Sequence, residues 1–411
     1  MKSLNIFAVA TKAPWPALDG GRFLLLNTLQ ALAAAGCRLT LVAPVDPVRF
    51  DLAEVAHQLS GFCTPALVPA APLSPLAAWL RSGGAPLSIA RHTLPAVRRE
   101  VERRLAAERF DVVHAEQLQA LPQAEPAFTR GIPVVLRAQN VESDLWAETA
   151  RRGRGLRGFL LRREARKLAA WEGGAVRRAA ATLALTQEDA SRLRELAGGG
   201  RVEVVRAAFP ELPPGSGRLA GEPAVAVFGS RGWLPNEEST VWFAAEVWPA
   251  VRAALPGAVL HLFGAPPGLE ATGVAVHPSP EDSAEVYAPG SILAVPLRIA
   301  SGVRIKILEA WARGVPVVAT PAALAGLEAE DGREALVARD ASEFAQAIAR
   351  LHQEPGLVDS LIEAGRRARR ERHEPGLVAG GLVAAYRGAM RVEKAPQSRS
   401  GPGSTGGGSS G

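Results

Sequence analysis

A segment in the C-terminal half of the chain combines two cations and one carboxylate at the start of a helical pattern. Arg304, Lys306 and Glu309 lie in "SGVRIKILEAWARGVPVVAT", directly after Ser301 and Gly302. Backbone N–H groups and the dipole at a helix N-terminus attract anions, and glycine lets a phosphate approach the backbone closely. Cations in the first turn oppose the dipole, so they indicate a bound anion, and the carboxylate one turn later could accept hydrogen bonds from ribose hydroxyls. The residues alone leave a second interpretation open, a solvent-exposed ion pair at the helix end.

Alternating strand and helix patterns surround this segment. Buried-strand patterns occur as "LNIFAVA", "CRLTLVAP", "RFDVVHAE" and "IPVVLRAQN" in the first half and as "AVAVFGS", "SILAVPL" and "VPVVAT" in the second, with helical patterns between them. This alternation predicts an α/β protein whose parallel sheets are covered by helices on both faces. Ligands of such sheets bind at the carboxyl ends of the strands, against helix N-termini, which is the position predicted for Gly302.

The length of 411 residues and the hydrophobic content of 47% are sufficient for two such domains. A stretch rich in Pro and Gly between the halves predicts a linker, and the low-complexity C-terminus predicts disorder. We predict a Rossmann-like domain at residues 1–209, a linker at 210–223, a second Rossmann-like domain at 224–375, a helix at 376–392 that packs back on the first domain, and a disordered tail at 393–411.

Composition narrows the classes of function. The formal net charge of +6 favours anionic partners, among them phosphorylated ligands. Cys37 and Cys63 have no metal or redox spacing, which predicts free thiols in a reducing compartment. The apolar run at the N-terminus is too short for a signal peptide, and no run is long enough to span a membrane. These features predict a cytoplasmic protein. We also expect no metal or other cofactor, since its His residues lack ligand spacing and Asp-x-Asp is absent.

Residues 151–178 form a strongly basic segment. They contain ten Arg or Lys residues against two Glu residues, and Leu156, Phe159 and Leu160 interleave with the cations. Three interpretations remain open: a solvated helix, a helix lying on anionic lipid at the inner face of the membrane, or a nucleic-acid site. Because no helix-turn-helix, zinc or RNA-binding motif accompanies the segment, we expect no nucleic-acid partner.

The segment that ends at Thr320 resembles the donor site of retaining glycosyltransferases of family 4, which have the two-domain GT-B fold. In that family two Glu residues are separated by seven residues and followed by a helix and "GxPVVAT". Glu309 with "ARGVPVVAT" matches the second Glu, which binds the donor ribose in the family. The first Glu falls on Ser301, so recognition of the donor sugar depends on this loop, where the main-chain N–H groups of Gly302 and Val303 could bind sugar and phosphate oxygens.

The stretch "FGSRGWLPNEESTVW" is similar to the opening of the donor domain in the same family. The resemblance implies that Gly229 and Ser230 lie over the diphosphate. The family's usual second cation, a Lys a few residues later, is absent, and Asn236 is nearby. The expected catalytic residues, which would stabilise the departing diphosphate, are therefore Arg231, Arg304 and Lys306.

Two further stretches resemble the acceptor side of the cleft in this family. "APWPALDGGRFLLLNTL" resembles its glycine-rich loop, where Gly20 and Gly21 would approach the donor phosphate or the acceptor, or would simply form a turn that needs glycine. "VVLRAQNVESDLW" resembles the segment "HNVES", with Gln139 in place of the His and Asn140 matching the Asn. Gln cannot titrate near neutrality. His114 ends a predicted strand and is expected at the cleft, or else is a hydrogen-bonded structural residue.

The resemblance implies a hexosyltransferase that moves a sugar from a nucleoside-diphosphate sugar to a glycan or lipid-linked acceptor. It implies retention of configuration and a role in bacterial polysaccharide or glycolipid biosynthesis. Two alternatives stay open. Because Ser301 and Gln139 replace polar residues of the family's site, the chain could instead bind a nucleotide sugar without turnover, as a partner of another transferase. It could also be a GT-B sugar-nucleotide epimerase.

Overall fold

A computed structural model of the chain describes residues 3–229, 234–280, 282–298 and 302–393, without the side chains of residues 152, 234, 235, 392 and 393. Three predicted site residues, Ser230, Arg231 and Ser301, lie outside these residues. The predicted disordered tail also lies outside them, apart from its first residue.

The first half of the chain forms a sheet of seven parallel strands. Its strands are β1 (Asn5–Val9), β2 (Arg38–Val45), β3 (Thr64–Pro69), β4 (Val112–Glu116), β5 (Val134–Ala138), β6 (Ala181–Ala184) and β7 (Val202–Val204). They lie in the order β3-β2-β1-β4-β5-β6-β7. Strand β1 pairs with β2 on one side and with β4 on the other, so the chain reverses its direction of winding between β1 and β4.

Nine α-helices of the described chain belong to this half. They are α1 (Gly20–Ala34), α2 (Leu52–Ser60), α3 (Pro75–Arg81), α4 (Leu87–His92), α5 (Pro95–Ala107), α6 (Leu121–Phe128), α7 (Glu142–Arg152), α8 (Gly155–Arg178) and α9 (Gln187–Ala197). A 3-10 turn at Leu118–Ala120 follows β4.

The second half forms a sheet of six parallel strands in the order β10-β9-β8-β11-β12-β13. The strands are β8 (Ala224–Phe228), β9 (Val259–Phe263), β10 (Val274–His277), β11 (Ser291–Val295), β12 (Val317–Ala319) and β13 (Leu336–Val337). The remaining helices are α10 (Leu234–Trp242), α11 (Trp248–Ala254), α12 (Ile305–Arg313), α13 (Pro321–Leu324), α14 (Ala341–Gln353), α15 (Pro355–His373) and α16 (Pro375–Glu393), with a π-helical turn at Phe243–Val247 and a 3-10 turn at Ser283–Glu285.

Each sheet separates two apolar cores because successive strand residues point to opposite faces. In β1, Ile6 and Ala8 belong to one core, and Phe7 and Val9 belong to the core on the other face. This explains why the strands read as continuous apolar runs, as expected for parallel sheets covered by helices on both faces. No helix in the described part of the chain is long and apolar enough to cross a membrane, and both cysteines are free thiols.

The last two helices connect the two halves. Helix α15 packs against α12 of the second half, whereas α16 returns and packs against α1 of the first. Leu382 and Tyr386 of α16 are fully buried in the same core as Leu29 and Leu32 of α1. The core of the first half therefore contains side chains from the C-terminal end of the described chain.

We predict that Gly365→Ala in α15 destabilises the protein. A Cβ at this buried glycine would lie 2.5 Å from Cδ1 of Trp311, whose ring is buried and whose Nε1 donates to the Glu334 carbonyl oxygen at 3.0 Å. Such overpacking costs about 1–3 kcal/mol. Thermal denaturation measures the effect, with Gly356→Ala in the same helix as the control, since a Cβ there meets no atom within 4 Å. Equal melting temperatures of the two variants would contradict the prediction.

Candidate active site

The loop before α12 lies where the two sheets approach each other. Gly302 has a left-handed backbone, with φ of 72°, and a Cβ there would collide with the Asn140 side chain and the Gln139 carbonyl oxygen. Only glycine fits such a position. The loop after β11 therefore touches the segment after β5, so the residues that the sequence predicts for the donor and acceptor sides meet at this point.

Lys306 reaches from the first turn of α12 to the end of β8. Its Nζ donates to the Phe228 carbonyl oxygen and lies 3.4 Å from Oδ1 of Asn236. Burial, together with the positive charge of Arg304, lowers the pKa of Lys306 to about 7. Lys306 makes no ion pair with a carboxylate of the described residues, so its ammonium group lies at the carboxyl end of the sheet with only neutral acceptors.

Arg304 stabilises the loop before α12 through a hydrogen bond to its backbone. It precedes the first turn of α12, its Nη2 donates to the Gly302 carbonyl oxygen at 2.8 Å, and the residue is 7% exposed. Burial lowers its pKa to about 10, which the charge of Asp189 opposes. Asp189 lies in the first turn of α9, which Thr186 caps. In this position Arg304 fixes the loop conformation, and its predicted contact with a ligand stays a prediction.

Glu309 forms its contacts one turn further along α12. Its Oε1 accepts hydrogen bonds from Oγ of Ser283 at 2.5 Å and from Nε of Arg313 at 2.9 Å, and the residue is 7% exposed. The carboxylate pairs with Arg313 and not with Lys306. The interpretation of Lys306 and Glu309 as a solvent-exposed ion pair is therefore wrong, because both side chains turn into the protein.

The end of β8 is tightly packed against its neighbours. The N–H of Gly229 donates to the Phe263 carbonyl oxygen at 3.2 Å, and a Cβ on Gly229 would lie 3.0 Å from Cβ of Asn236. The glycine thus lets the end of β8 lie directly beside α10. The Val303 side chain is buried in the core beneath α12, so only its main chain is available for the predicted donor contact.

Gly20 and Gly21 are the first two residues of α1, which Asp19 caps. A Cβ on Gly20 would lie 3.5 Å from Cγ1 of Ile305, and a Cβ on Gly21 would lie 2.8 Å from Oε1 of Gln139. The N-terminus of α1 therefore lies close to the N-terminus of α12, with space for one methyl group between Gly20 and Ile305. At Gly21 the close approach to Gln139, and not a turn alone, requires glycine.

Gln139 connects these elements through its side-chain amide. Its Nε2 donates to Oε1 of Glu116 at 2.7 Å and to the Gly21 carbonyl oxygen at 3.2 Å, and its Oε1 accepts from Nε2 of Gln117 at 2.8 Å. Thr11 donates in turn to Oε1 of Gln117 at 2.8 Å. Through these bonds the buried Gln139 side chain links the end of β4 to the start of α1.

His114 does not lie at the cleft, so that prediction is wrong, whereas its alternative as a hydrogen-bonded structural residue agrees with the structure. The ring is 1% exposed, with Nδ1 at 2.7 Å from the Tyr386 hydroxyl and Nε2 at 2.7 Å from Oε2 of Glu116. His114 is the third residue of β4, not its end, and its side chain points to the sheet face that α16 covers. It reaches the cleft only through Glu116 and Gln139.

Two residues of this network escaped the sequence reasoning. Arg137 lies beside Glu116 in the β4–β5 register and is 2% exposed, with its Nη2 donating to the Arg206 carbonyl oxygen at 2.8 Å. Tyr386 lies far away in sequence, on α16. The sequence contains one indication of this network: the apolar strand patterns "VVHAE" and "VVLRA" each include a charged residue. A buried charge requires partners. Within the described residues, no cluster of three or more His, Cys, Asp or Glu side chains could hold a metal ion.

Two family models match the chain and together cover most of it. The model described as Glycosyltransferase Family 4 matches residues 18–208, and the model described as Glycosyl transferases group 1 matches residues 223–354. A search of curated proteins found no match.

Solved glycosyltransferase structures share the fold. Sucrose-phosphate synthase from Thermosynechococcus elongatus is 16% identical, with a TM-score of 0.70 over 95% of this chain and 100% of that chain. HepE from Anabaena, solved in complex with UDP and glucose, is 15% identical, with a TM-score of 0.64 over 93% of this chain and 98% of its own. WaaG, a glycosyltransferase involved in lipopolysaccharide biosynthesis, is 14% identical, with a TM-score of 0.58 over 96% of this chain and 100% of its own. The predicted GT-B fold of two doubly wound parallel-sheet domains is confirmed.

We predict that Lys306→Met stabilises the protein at pH 7. The lysine pKa falls from 10.5 to about 7 on folding, so between these values the folded chain binds fewer protons than the unfolded chain and wild-type stability rises with pH. Methionine removes the buried ammonium, so its advantage in melting temperature should be largest near pH 7 and shrink as pH rises towards 10. Lys167→Met, at a lysine paired with Glu164, is the control. A lower melting temperature of Lys306→Met, or a difference independent of pH, would contradict the prediction.

Proposed function

The chain belongs to the glycosyltransferases of group 1 and family 4, and from this premise we propose that it transfers a sugar, with retention, from a nucleoside-diphosphate sugar to a glycan or lipid-linked acceptor. The UDP and UDP-glucose bound by HepE make UDP-sugars the first donors to test. The proposed setting is bacterial polysaccharide or glycolipid biosynthesis at the cytoplasmic side of the membrane. The involvement of WaaG in lipopolysaccharide biosynthesis supports a product of this class.

The ammonium group of Lys306 is the observation that carries this proposal. As the bond between the anomeric carbon and the phosphate oxygen breaks, its electron pair passes to the diphosphate, and a fixed cation stabilises the charge that develops there. Lys306 has no carboxylate partner among the described residues and lies beside Asn236, near the place where the family has its usual Lys. We infer that Lys306 supplies that missing charge from the opposite side of the site, so the proposed transfer requires no metal.

Glu309 is the proposed ribose-binding residue. Its Oε1 is shared by Ser283 and Arg313, both of which donate to it. A carboxylate has about four acceptor positions, so these two bonds leave capacity for ribose hydroxyls. Arg313 also donates to the Pro213 carbonyl oxygen at 3.0 Å, which holds the carboxylate in a fixed orientation.

We expect the two residues to affect different steps. Lys306→Ala should lower kcat at least about a hundredfold, because it removes charge stabilisation in the transition state. Glu309→Gln should weaken nucleotide binding about tenfold, because a neutral acceptor replaces a charged one. Calorimetric titration with UDP and turnover of a panel of sugar nucleotides separate the two effects. Glu363→Gln, at an exposed residue of α15 paired with Arg370, is the control, and unchanged activity of both site variants would refute the site.

We further propose that the basic helix α8 and the short helix α3 form a surface that binds anionic lipid. Leu156, Leu160, Glu164, Lys167 and Trp171 follow one stripe of α8, since they are spaced by four, four, three and four residues. The turn between α3 and α4 covers the middle of this stripe, where Glu164 accepts from the Leu87 N–H at 2.9 Å. The first part of the stripe has no such cover, and Leu156 is 74% exposed.

Helix α3, which leads into the turn that contacts α8, also exposes Leu76, Trp79 and Leu80, which were not predicted from the sequence. Trp79 is 63% exposed, although large apolar side chains are rarely exposed in clusters unless they have a partner. The exposed cations in the first half of α8 are Arg157, Arg162, Arg163 and Arg166. Apolar side chains bounded by cations are complementary to the interface of an anionic bilayer, which would bring the enzyme to a lipid-linked acceptor.

Vesicle sedimentation tests this surface. We expect binding to vesicles of phosphatidylcholine that contain phosphatidylglycerol and weak binding to phosphatidylcholine alone, with binding that falls as salt rises. The double variants Trp79→Ser with Leu80→Ser, and Phe159→Ser with Leu160→Ser, should each lose most of this binding. Leu377→Ser is the matched control, since Leu377 is an exposed leucine on α16. Equal binding of the wild type and both double variants would exclude the surface.

A further inference from the structure

The reversal of winding between β1 and β4 opens a crevice at the carboxyl ends of the first sheet. In open α/β sheets this reversal is where ligands bind. Three polar residues follow the ends of neighbouring strands at this point: Lys12 after β1, Gln119 after β4 and Glu142 after β5. None of them takes part in the diphosphate and ribose site proposed above, which lies at the second sheet.

Glu142 has an unusual environment for a carboxyl group. It begins α7, and its own N–H, with that of Ser143, donates to the carboxylate of Glu172 in α8. Burial and the negative charge of Glu172 raise the pKa of Glu142 to about 7, although a hydrogen bond from the Gln119 side chain and the charge of Lys12 oppose the shift. The residue as a whole is intermediate in exposure, so part of its surface remains accessible from the crevice.

Gln119 provides an independent indication of a ligand. The residue is 7% exposed, and its Oε1 is a buried acceptor without a hydrogen-bond donor among the described residues. An unsatisfied buried amide oxygen costs free energy, which a hydroxyl donor would recover. Lys12 completes the group with an ammonium that pairs with Asp19 at 2.7 Å and stays one-third exposed. The three side chains thus offer a carboxyl group, an amide oxygen and N–H donors, which matches a polyhydroxylated molecule.

The crevice is continuous with the donor loop of the second sheet. Asn140, two residues before Glu142, contacts Gly302, and Asp19 lies beside Gly21 and Gln139 at the junction of α1 and α12. A sugar bound against Glu142 would therefore lie on the first-domain side of the point where the two domains meet.

We propose that Lys12, Gln119 and Glu142 form the acceptor subsite, which binds a sugar through its hydroxyl groups, with the Glu142 carboxylate accepting a hydrogen bond from one of them. This inference rests on the proposed glycosyl transfer and assigns its second substrate a site. The carboxylate form is the better acceptor, so acceptor binding should weaken as pH falls through about 7.

Steady-state kinetics with octyl glycosides as acceptor probes test the subsite. The panel comprises octyl glucoside, octyl galactoside and octyl N-acetylglucosaminide, and release of nucleoside diphosphate is measured with and without each probe. We expect Glu142→Gln to raise the KM for the acceptor about tenfold above pH 7 and to remove its pH dependence, while the KM for the donor stays unchanged. Lys12→Ala, at a more exposed residue, should raise the acceptor KM with the pH dependence retained. Glu148→Gln, further along α7, is the control.

Each outcome separates the subsite from the transferase itself. If the wild type releases diphosphate slowly by hydrolysis but no probe accelerates it, the subsite does not take simple sugar hydroxyls and the inference fails while the donor site stands. If Glu142→Gln and the control have the same acceptor KM and pH profile, Glu142 is structural and the inference fails. If no sugar nucleotide binds or is turned over by the wild type, the proposed function itself fails, and the subsite with it.

Discussion

The close approach of two helix N-termini determines the rest of this structure. The first turns of α1 and α12 approach each other closely, since a Cβ on Gly20 would be in contact with Ile305 at 3.5 Å. Beside them, Gly302 meets Asn140 and Gln139 so closely that no side chain fits there. A third contact of the same kind joins Gly326 to Thr186. Because both helix starts lie in one region, their free N–H groups and dipoles favour an anion near this junction.

A buried polar network supports this junction from the side of the first sheet. Gln139 links the start of α1 to Glu116, and Glu116 links onward to His114 and Tyr386. Buried polar groups are costly unless they are bonded to one another, so the chain of hydrogen bonds fixes a single arrangement of the strands beneath the cleft. The Gln that replaces the family's His thus has a structural role in this chain, as an amide that donates and accepts at once.

Strand and helix patterns were sufficient to predict two parallel sheets and the position of the α12 loop, because buried parallel strands read as unbroken apolar runs. The directions in which side chains point were harder to predict from the sequence. The face shared by Lys306 and Glu309 suggested a mutual ion pair, but Lys306 turns towards Phe228 and Glu309 towards Arg313. His114 was assigned to the cleft because nothing local in the sequence reveals that α16 covers its face of β4. Contacts between residues more than two hundred positions apart leave no periodic signal.

The return of α16 to the first domain also affects when that domain can complete its folding during synthesis. Tyr386, Leu382 and their neighbours complete the core on one face of the first sheet and satisfy the ring of His114. During synthesis, the strands and helices of that domain emerge long before α16 does. One apolar face and a buried histidine then lack their partners until almost the whole described chain has left the ribosome, so the first domain can reach its final packing only after the second has been synthesised.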